Sequence, residues 1–187
     1  MKFFRSVFFG SRSLKKWDLS CRERPSKDGV STIDLQPVSS EDVQFMGLAL
    51  KEAERAGEEG EVPVGAVLVS GGKVIGRGRN RPLALSDPTA HAEILALREG
   101  AIQTGNYRLT GTTLYVTIEP CTMCAGALLQ ARVRRLVYGA DDLKAGGVRS
   151  LYFLLEDERL NHRVEVTGGV LLEECREILH QFFQERR

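Results

Sequence analysis

The stretch Glu119-Pro120-Cys121-Thr122-Met123-Cys124, read with His91-Ala92-Glu93 upstream, constrains this chain more than any other. Two cysteines three positions apart on a helical turn share one face, because a turn takes about 3.6 residues. Both can therefore reach one metal ion. Pro120 suits the first turn of that helix, where a missing N–H costs little. The open helix end favours negative charge and so lowers the cost of a thiolate. Two thiolates and the imidazole of His91 leave one position of a tetrahedral zinc free, which separates a catalytic centre from a structural one. A water in that position has its pKa lowered to about 7. Glu93, beside His91, is placed to carry the proton.

A Cys-x-x-Cys pair alone is a weak signal. The ordered set His-x-Glu followed by Pro-Cys-x-x-Cys is a strong one, and it is the known signature of zinc-dependent nucleobase deaminases. One conflict stands inside it: positions i and i+2 do not share a helix face. His91 and Glu93 can both serve one pocket only if they sit at the mouth of their helix, and diverging side chains would defeat that reading.

Charge and composition exclude more than they select. The chain has 187 residues, enough for one domain with a real core. No apolar run approaches the ~20 residues that span a bilayer. The net charge of +1 says nothing for or against nucleic acid, but its distribution is uneven. Residues 1–40 carry eight Lys/Arg against four Asp/Glu, which leaves residues 41–187 at −3. An RNA-binding role must then rest on local basic clusters. Four cysteines make no disulfide framework here: two are assigned to metal, Cys175 falls on an apolar helix face and Cys21 lies near the N-terminus. That usage fits a reducing compartment, hence the cytoplasm.

Residues 1–40 read as an extension outside the fold, disordered by composition. Met1 to Trp17 is basic, Phe-bearing and acid-free, and Arg22 to Asp34 reads as a polar linker. Arg5 and Gly10 spoil it as a secretory signal. An organelle transit peptide, an upstream start codon and a disordered arm all fit this composition. Residues 41–187 form the predicted catalytic domain. Ser39 and Asp42 open a helix that runs to about Gly57. Val62 to Val69 is a buried strand, and Lys73 to Arg79 returns as a hairpin partner. There Gly76 and Gly78 either weaken the strand or admit close backbone approach. Thr89 is the expected N-cap of a helix to about Gln103. Thr112 to Ile118 is a strand feeding the cysteine helix, and Arg134 to Gly139 is the next. A Gly-bearing loop, Asp141 to Ser150, leads to a short helical segment, Leu151 to Leu155. Val164 to Val166 is a fifth strand, and Leu171 to Phe183 an amphipathic helix. Alternating helices and strands predict a three-layer α/β/α domain with helices on both faces of a five-stranded mixed sheet.

Five segments together resemble the bacterial tRNA-specific adenosine deaminases. They are Glu61-Val62-Pro63-Val64-Gly65-Ala66, Asn80-Arg81-Pro82, Asp87-Pro88-Thr89-Ala90-His91-Ala92-Glu93, Pro120-Cys121-x-Met123-Cys124 and Asn161-His162-x-Val164-Glu165. The resemblance covers residues 41–187 and implies a cytidine-deaminase-like fold. It implies zinc, one per subunit, on His91, Cys121 and Cys124, with Glu93 as proton shuttle. It implies that Asn80 hydrogen-bonds a flipped purine, that Val62 lines the pocket and that the Ala92 backbone touches the base edge. The implied reaction is conversion of the wobble adenosine of a tRNA anticodon to inosine. The implied assembly is a homodimer binding the anticodon stem-loop near its interface. Asp142 and Lys144 fall in the loop used beside the anticodon. Phe183, Arg186 and Arg187 end the helix that closes over it, with Phe182 on that helix's apolar stripe. Arg149 stands where a small residue is expected; it either changes the loop or adds a cation for phosphate.

Two other functions share parts of this pattern. A deaminase of a free base or nucleoside, of guanine or cytidine type, has the same zinc motif; the Asn161 segment and the Arg-tipped last helix argue against it. A non-catalytic zinc or RNA-binding subunit would not need Glu93. His162 reads as a structural hydrogen bond. Arg132, Arg134 and Arg135 fit a solvated face or a dimer contact as well as RNA.

Overall fold

The computed structural model describes residues 38–186. The targeting, linker and disorder readings of the first 37 residues lie outside it, as does Arg187. Helix α1 spans Ser40–Glu58 and starts as its sequence requires. Ser39 Oγ accepts from the Asp42 N–H at 3.0 Å, and the Ser39 N–H donates to Asp42 Oδ2 at 3.2 Å. Strand β1, Gly65–Ser70, turns at Gly71-Gly72 into β2, Lys73–Arg79. Both turn glycines have positive φ, the left-handed region that glycine enters freely. A four-residue helix α2, Pro82–Leu85, precedes α3, Ala92–Thr104. Then come β3, Thr113–Ile118, α4, Thr122–Ala131, and β4, Arg135–Ala140. Strand β5, Glu165–Thr167, and α5, Leu172–Gln184, complete the fold.

The sheet order is β2-β1-β3-β4-β5. The first two pairings are antiparallel and the last two parallel, so the sheet is mixed. Alternate strand residues serve two cores, because strand side chains point to opposite faces. Ala66, Leu68, Leu114, Val116 and Leu136 pack with Ala96 and Leu97 of α3 and Ala125 and Leu128 of α4. Val67, Val69, Tyr115 and Val137 pack on the other face, with Phe45, Met46 and Ala49 of α1 and Cys175 of α5. This is the three-layer α/β/α arrangement read from the sequence. Among the described residues no helix is long and apolar enough to cross a membrane.

Two local expectations fail for identifiable reasons, and one short helix was not expected. Strand β1 begins at Gly65 rather than Val62, because the Val64 N–H turns back onto the Val62 carbonyl at 2.8 Å and Pro63 has no N–H to give. Residues 151–155 are turns, not helix: the N–H groups of Leu151 and Leu154 bond the carbonyls of Gly146 and Gly147 instead of a helical ladder. Helix α2 is too short to show a period and starts on Pro82.

Gly76 and Gly78 resolve as close approach. A Cβ on Gly78 would collide with the Ala92 carbonyl oxygen and lie 2.6 Å from the Ala96 nitrogen. Helix α3 therefore rests backbone to backbone on β2. Gly78→Ala should destabilise the domain by about 1–3 kcal/mol, as overpacking of a rigid contact does, read as a lower urea midpoint. Because Glu93 rides on α3, activity should fall with it.

Candidate active site

Helices α3 and α4 point their N-termini at one place. His91 is the N-cap of α3 and Cys121 the N-cap of α4, each with extended backbone. Thr89 does not cap α3: its N–H and hydroxyl both bond Asp87 Oδ1, at 2.8 and 2.7 Å, and close the preceding turn. Pro120 precedes the N-cap of α4 rather than entering its first turn. The move of the α3 cap from Thr89 to His91 removes the i, i+2 conflict. His91 is not yet helical, so its side chain and that of Glu93 inside the first turn both face the helix mouth.

The donor set fits a metal. His91 Nδ1 lies 3.7 Å from Cys121 Sγ and 3.6 Å from Cys124 Sγ, and all three ligand atoms lie within 4.8 Å of one another. Zn–N of about 2.0–2.1 Å and Zn–S of about 2.3 Å at the tetrahedral angle put nitrogen and sulfur about 3.6 Å apart. Two positive helix ends face the cysteines, which favours thiolates. The Cys121 thiol is pushed down to about 3, first by the hydrogen bond from Cys124 and then by His91. Cys124 keeps the proton of the pair: the bond to Cys121, then burial, push it up. The bond to Cys121 also raises His91. A divalent cation requires both sulfurs as thiolates, so its binding expels the proton on Cys124.

Glu93 is 3% exposed, and burial raises its carboxyl above the ordinary range. The charge of His91 and hydrogen bonding toward Cys124 oppose that rise without overcoming it. A carboxyl tuned upward in a dry pocket is suited to moving protons near neutral pH.

Asn80 and Ala92 meet each other. The Ala92 N–H donates to Asn80 Oδ1 at 3.0 Å. The Ala92 backbone and the Asn80 amide thus sit side by side at the start of α3. The same bond fixes the amide so that Asn80 Nδ2 faces away from Ala92 as a donor. Val62 is exposed, and Val64 two residues on accepts the Asn80 N–H at 3.0 Å. Buried Glu61, named only as part of a motif, accepts from the Ala84 N–H at 2.8 Å and holds α2 in place.

The loop 141–150 wraps the corner before Cys121. Its organising group is Glu119, which sequence reading placed in the motif without a role. An acid closing the apolar strand β3 was the available signal. Burial opposes its charge, but bonds from Arg149, Ser150 and Asp142 outweigh that and hold the carboxyl low. Asp142 Oδ1 accepts from the N–H groups of Lys144 and Ala145, at 2.9 and 3.0 Å, and Lys144 itself is exposed. Arg149, expected either to change the loop or to add a cation, is partly exposed and tied down through Nη2. Its guanidinium donates to the Val166 carbonyl at 3.1 Å and to Glu156 at 3.2 Å, so this side chain braces the loop against β5.

Elsewhere His162 Nε2 bonds the Val133 carbonyl at 2.9 Å, the structural role expected of it. Arg132 ends α4 and holds Asn161, while Arg135 pairs with Asp42. On α5 Phe182 is buried and Phe183 exposed, and Arg186 stacks 3.6 Å over the Phe182 ring.

This sheet order, with a His/Cys/Cys donor set at two helix mouths and a buried glutamate beside it, defines a deaminase. The family model for MafB19-like deaminases matches residues 40–187. The tRNA-specific adenosine deaminase of Haemophilus influenzae is 54% identical over 83% of this chain and 91% of its own length. That of Bacillus subtilis is 49% identical over 79% of this chain and 92% of its own. A solved structure from a study of A-to-I editing by tRNA:A34 deaminases is 51% identical, with a TM-score of 0.71, over 73% of this chain and 99% of the other. The chain belongs to the tRNA-specific adenosine deaminases.

Proposed function

We propose that this protein hydrolytically deaminates adenosine to inosine at the wobble position of a tRNA anticodon, with residues 41–187 as the catalytic domain. The observation that carries the reading is Glu93, buried beside a complete His/Cys/Cys donor set in a chain of this family. His91, Cys121 and Cys124 would hold one zinc per subunit, and their spacing supports it. Bound there, zinc supplies the Lewis acidity that makes water a nucleophile at neutral pH.

Glu93 takes a proton from the attacking water and passes it to N1 of the adenine ring. It then takes the second proton, from the hydroxyl now on C6, and delivers it to the exocyclic nitrogen, which leaves as ammonia as the C6–N bond breaks and the C6 carbonyl forms. Asn80, its carbonyl held by Ala92, offers its amide donor to a ring acceptor of the base. The Ala92 backbone meets the base edge and orients Asn80 beside it. Val62 supplies an apolar wall. The target base must be turned out of its stack, at a cost of a few kcal/mol that is lowest for unpaired loop bases. Asp142 shapes the loop whose Lys144 meets phosphate, and Phe183 and Arg186, followed by Arg187, supply stacking and charge. A homodimer belongs to the same reading, supported by the exposed run Leu151-Tyr152-Phe153. So does a cytoplasmic site of action, where tRNA is at hand.

The test is inosine formation on an anticodon stem-loop with adenosine at the wobble position, beside free adenosine, cytidine and guanine. Inosine in the stem-loop alone supports the proposal; turnover of a free base or nucleoside alone defeats it. Cys124→Ala should lose both the metal, read by elemental analysis, and the activity. Second-site partners of a metal already change affinity or activity about 10–100-fold, so a direct ligand should do more.

A further inference from the structure

Glu119 is a buried carboxylate that the proposed chemistry does not use; its side chain is 1% exposed. What surrounds it is a ring of donors from one loop. Its Oε1 accepts the N–H groups of Val148 at 3.0 Å, Arg149 at 2.7 Å and Ser150 at 3.0 Å. Its Oε2 accepts the Asp142 N–H at 3.1 Å and the Ser150 hydroxyl. The loop is thus gripped at its first turn and at its last. Between those grips the Gly147 N–H donates to the Pro120 carbonyl at 2.8 Å, and Gly146 forms a bridge with Cys121. The fit leaves no room for a side chain. A Cβ on Gly146 would collide with Glu119 Oε2, and one on Gly147 would lie 2.9 Å from the Thr122 nitrogen.

Successive N–H groups converging on an anion form a nest, and a carboxylate fills it with acceptors only. Glutamine cannot, because its amide nitrogen would face donors with a donor. The part of the loop left outside is its tip. Asp142 turns the chain there, so that Leu143 is 77% exposed and Lys144 points to solvent beside it.

We propose that Glu119 is a positioning residue for the RNA: by fastening the 141–150 loop to the Cys121 corner, it sets where the Leu143–Lys144 tip meets the stem-loop. It therefore governs substrate binding and not the chemical step. The identity of the substrate rests on the function proposed above; the fastening rests on geometry alone.

The experiment uses the full chain and its Glu119→Gln variant. Amide hydrogen exchange at Val148, Arg149 and Ser150 should be at least about tenfold faster in the variant, because these N–H groups lose their acceptor. The Kd for a fluorescent wobble-adenosine stem-loop, and the KM, should rise by about tenfold or more. The kcat at saturating stem-loop should stay within about threefold, as befits loss of binding shared by ground and transition states. Metal content should stay at one per chain. Glu119→Asp should recover part of the affinity, since it restores an all-acceptor group at shorter reach. Gly146→Ala attacks the same contact from the loop side with Glu119 intact and should give the same pattern; it decides the matter if the glutamine variant does not fold.

Unchanged exchange overturns the fastening. Faster exchange with unchanged Kd overturns the role in RNA binding. Loss of metal and kcat with Kd intact overturns it too, by assigning Glu119 to the Cys121 ligand instead. A wild-type protein that neither binds nor deaminates the stem-loop defeats the proposed function and this inference with it, and that result is read before any variant is compared.

Discussion

Glu93→Gln should lower inosine formation by roughly 10²–10⁴-fold, the range general acid–base groups supply, while the metal stays bound. The substitution is nearly isosteric, and Glu93 is not one of the three donor atoms. It removes the buried carboxyl beside the donor set, which takes a proton from water and returns it to the base. The folded state should not suffer. Burial already disfavours the charged carboxylate, so a neutral amide of the same shape relieves a cost rather than creating one. The measurement is single-turnover inosine formation on the stem-loop, with metal content and stem-loop Kd on the same preparation. Activity within tenfold of wild type would mean that another group moves the proton. Loss of metal would mean that Glu93 supports the ligands instead. Intact metal, intact binding and lost turnover together would separate a shuttle from a ligand-supporting role.

The fold was largely legible because its signals are local and periodic. The capping pair Ser39 and Asp42, the apolar run before Ser70 and the Gly71-Gly72 turn all point one way. The donor set was legible because metal chemistry demands few residue types at fixed spacing. The exact caps were not. Thr89 looks like a better N-cap than His91 by propensity, but Asp87 claims both of its donors. That is a competition between two turns, and no single-residue preference contains it. Long-range partners were hidden for a similar reason. Nothing near Glu119 in sequence indicates that residues 23 to 31 positions away supply its hydrogen bonds. The bracing bond of Arg149 was equally hidden, because its acceptor, the Val166 carbonyl, belongs to a strand 17 residues on. Outside the metal donor set, side chains whose partners are local could be assigned; the partners of those that reach a distant segment could not.

Asp42→Ala should cost the domain about 3–5 kcal/mol, the range seen when one partner of a buried ion pair is removed. Asp42 is more than a capping residue. It receives both guanidinium nitrogens of Arg135, at 2.9 and 3.1 Å, and the Tyr115 hydroxyl at 3.1 Å. Arg135 also reaches Thr167 Oγ1 at 3.0 Å. One carboxylate thus ties the start of α1 to β3, β4 and β5. Without it the Tyr115 hydroxyl loses its acceptor and a mostly buried guanidinium keeps only Thr167 Oγ1, although the partial exposure of Arg135 favours the lower end of the range. Replacing both charges, as in Asp42→Ala with Arg135→Met, should recover much of the loss, because no unpaired charge remains. The pair also sets an acid limit. Burial pushes the Asp42 carboxyl up, but the bond from Arg135 and the cap from Ser39 outweigh it and hold the value below the ordinary 3.8. A depressed carboxyl stabilises the fold fully above its unfolded value and loses that contribution as pH falls through the folded one. Urea unfolding of wild type should therefore show a constant Asp42 contribution from neutral pH down to about 4–5, and a shrinking one below. In Asp42→Asn that part of the acid sensitivity should be missing. An equal acid response in the two proteins would mean that the carboxylate is no better held in the folded chain than in the unfolded one.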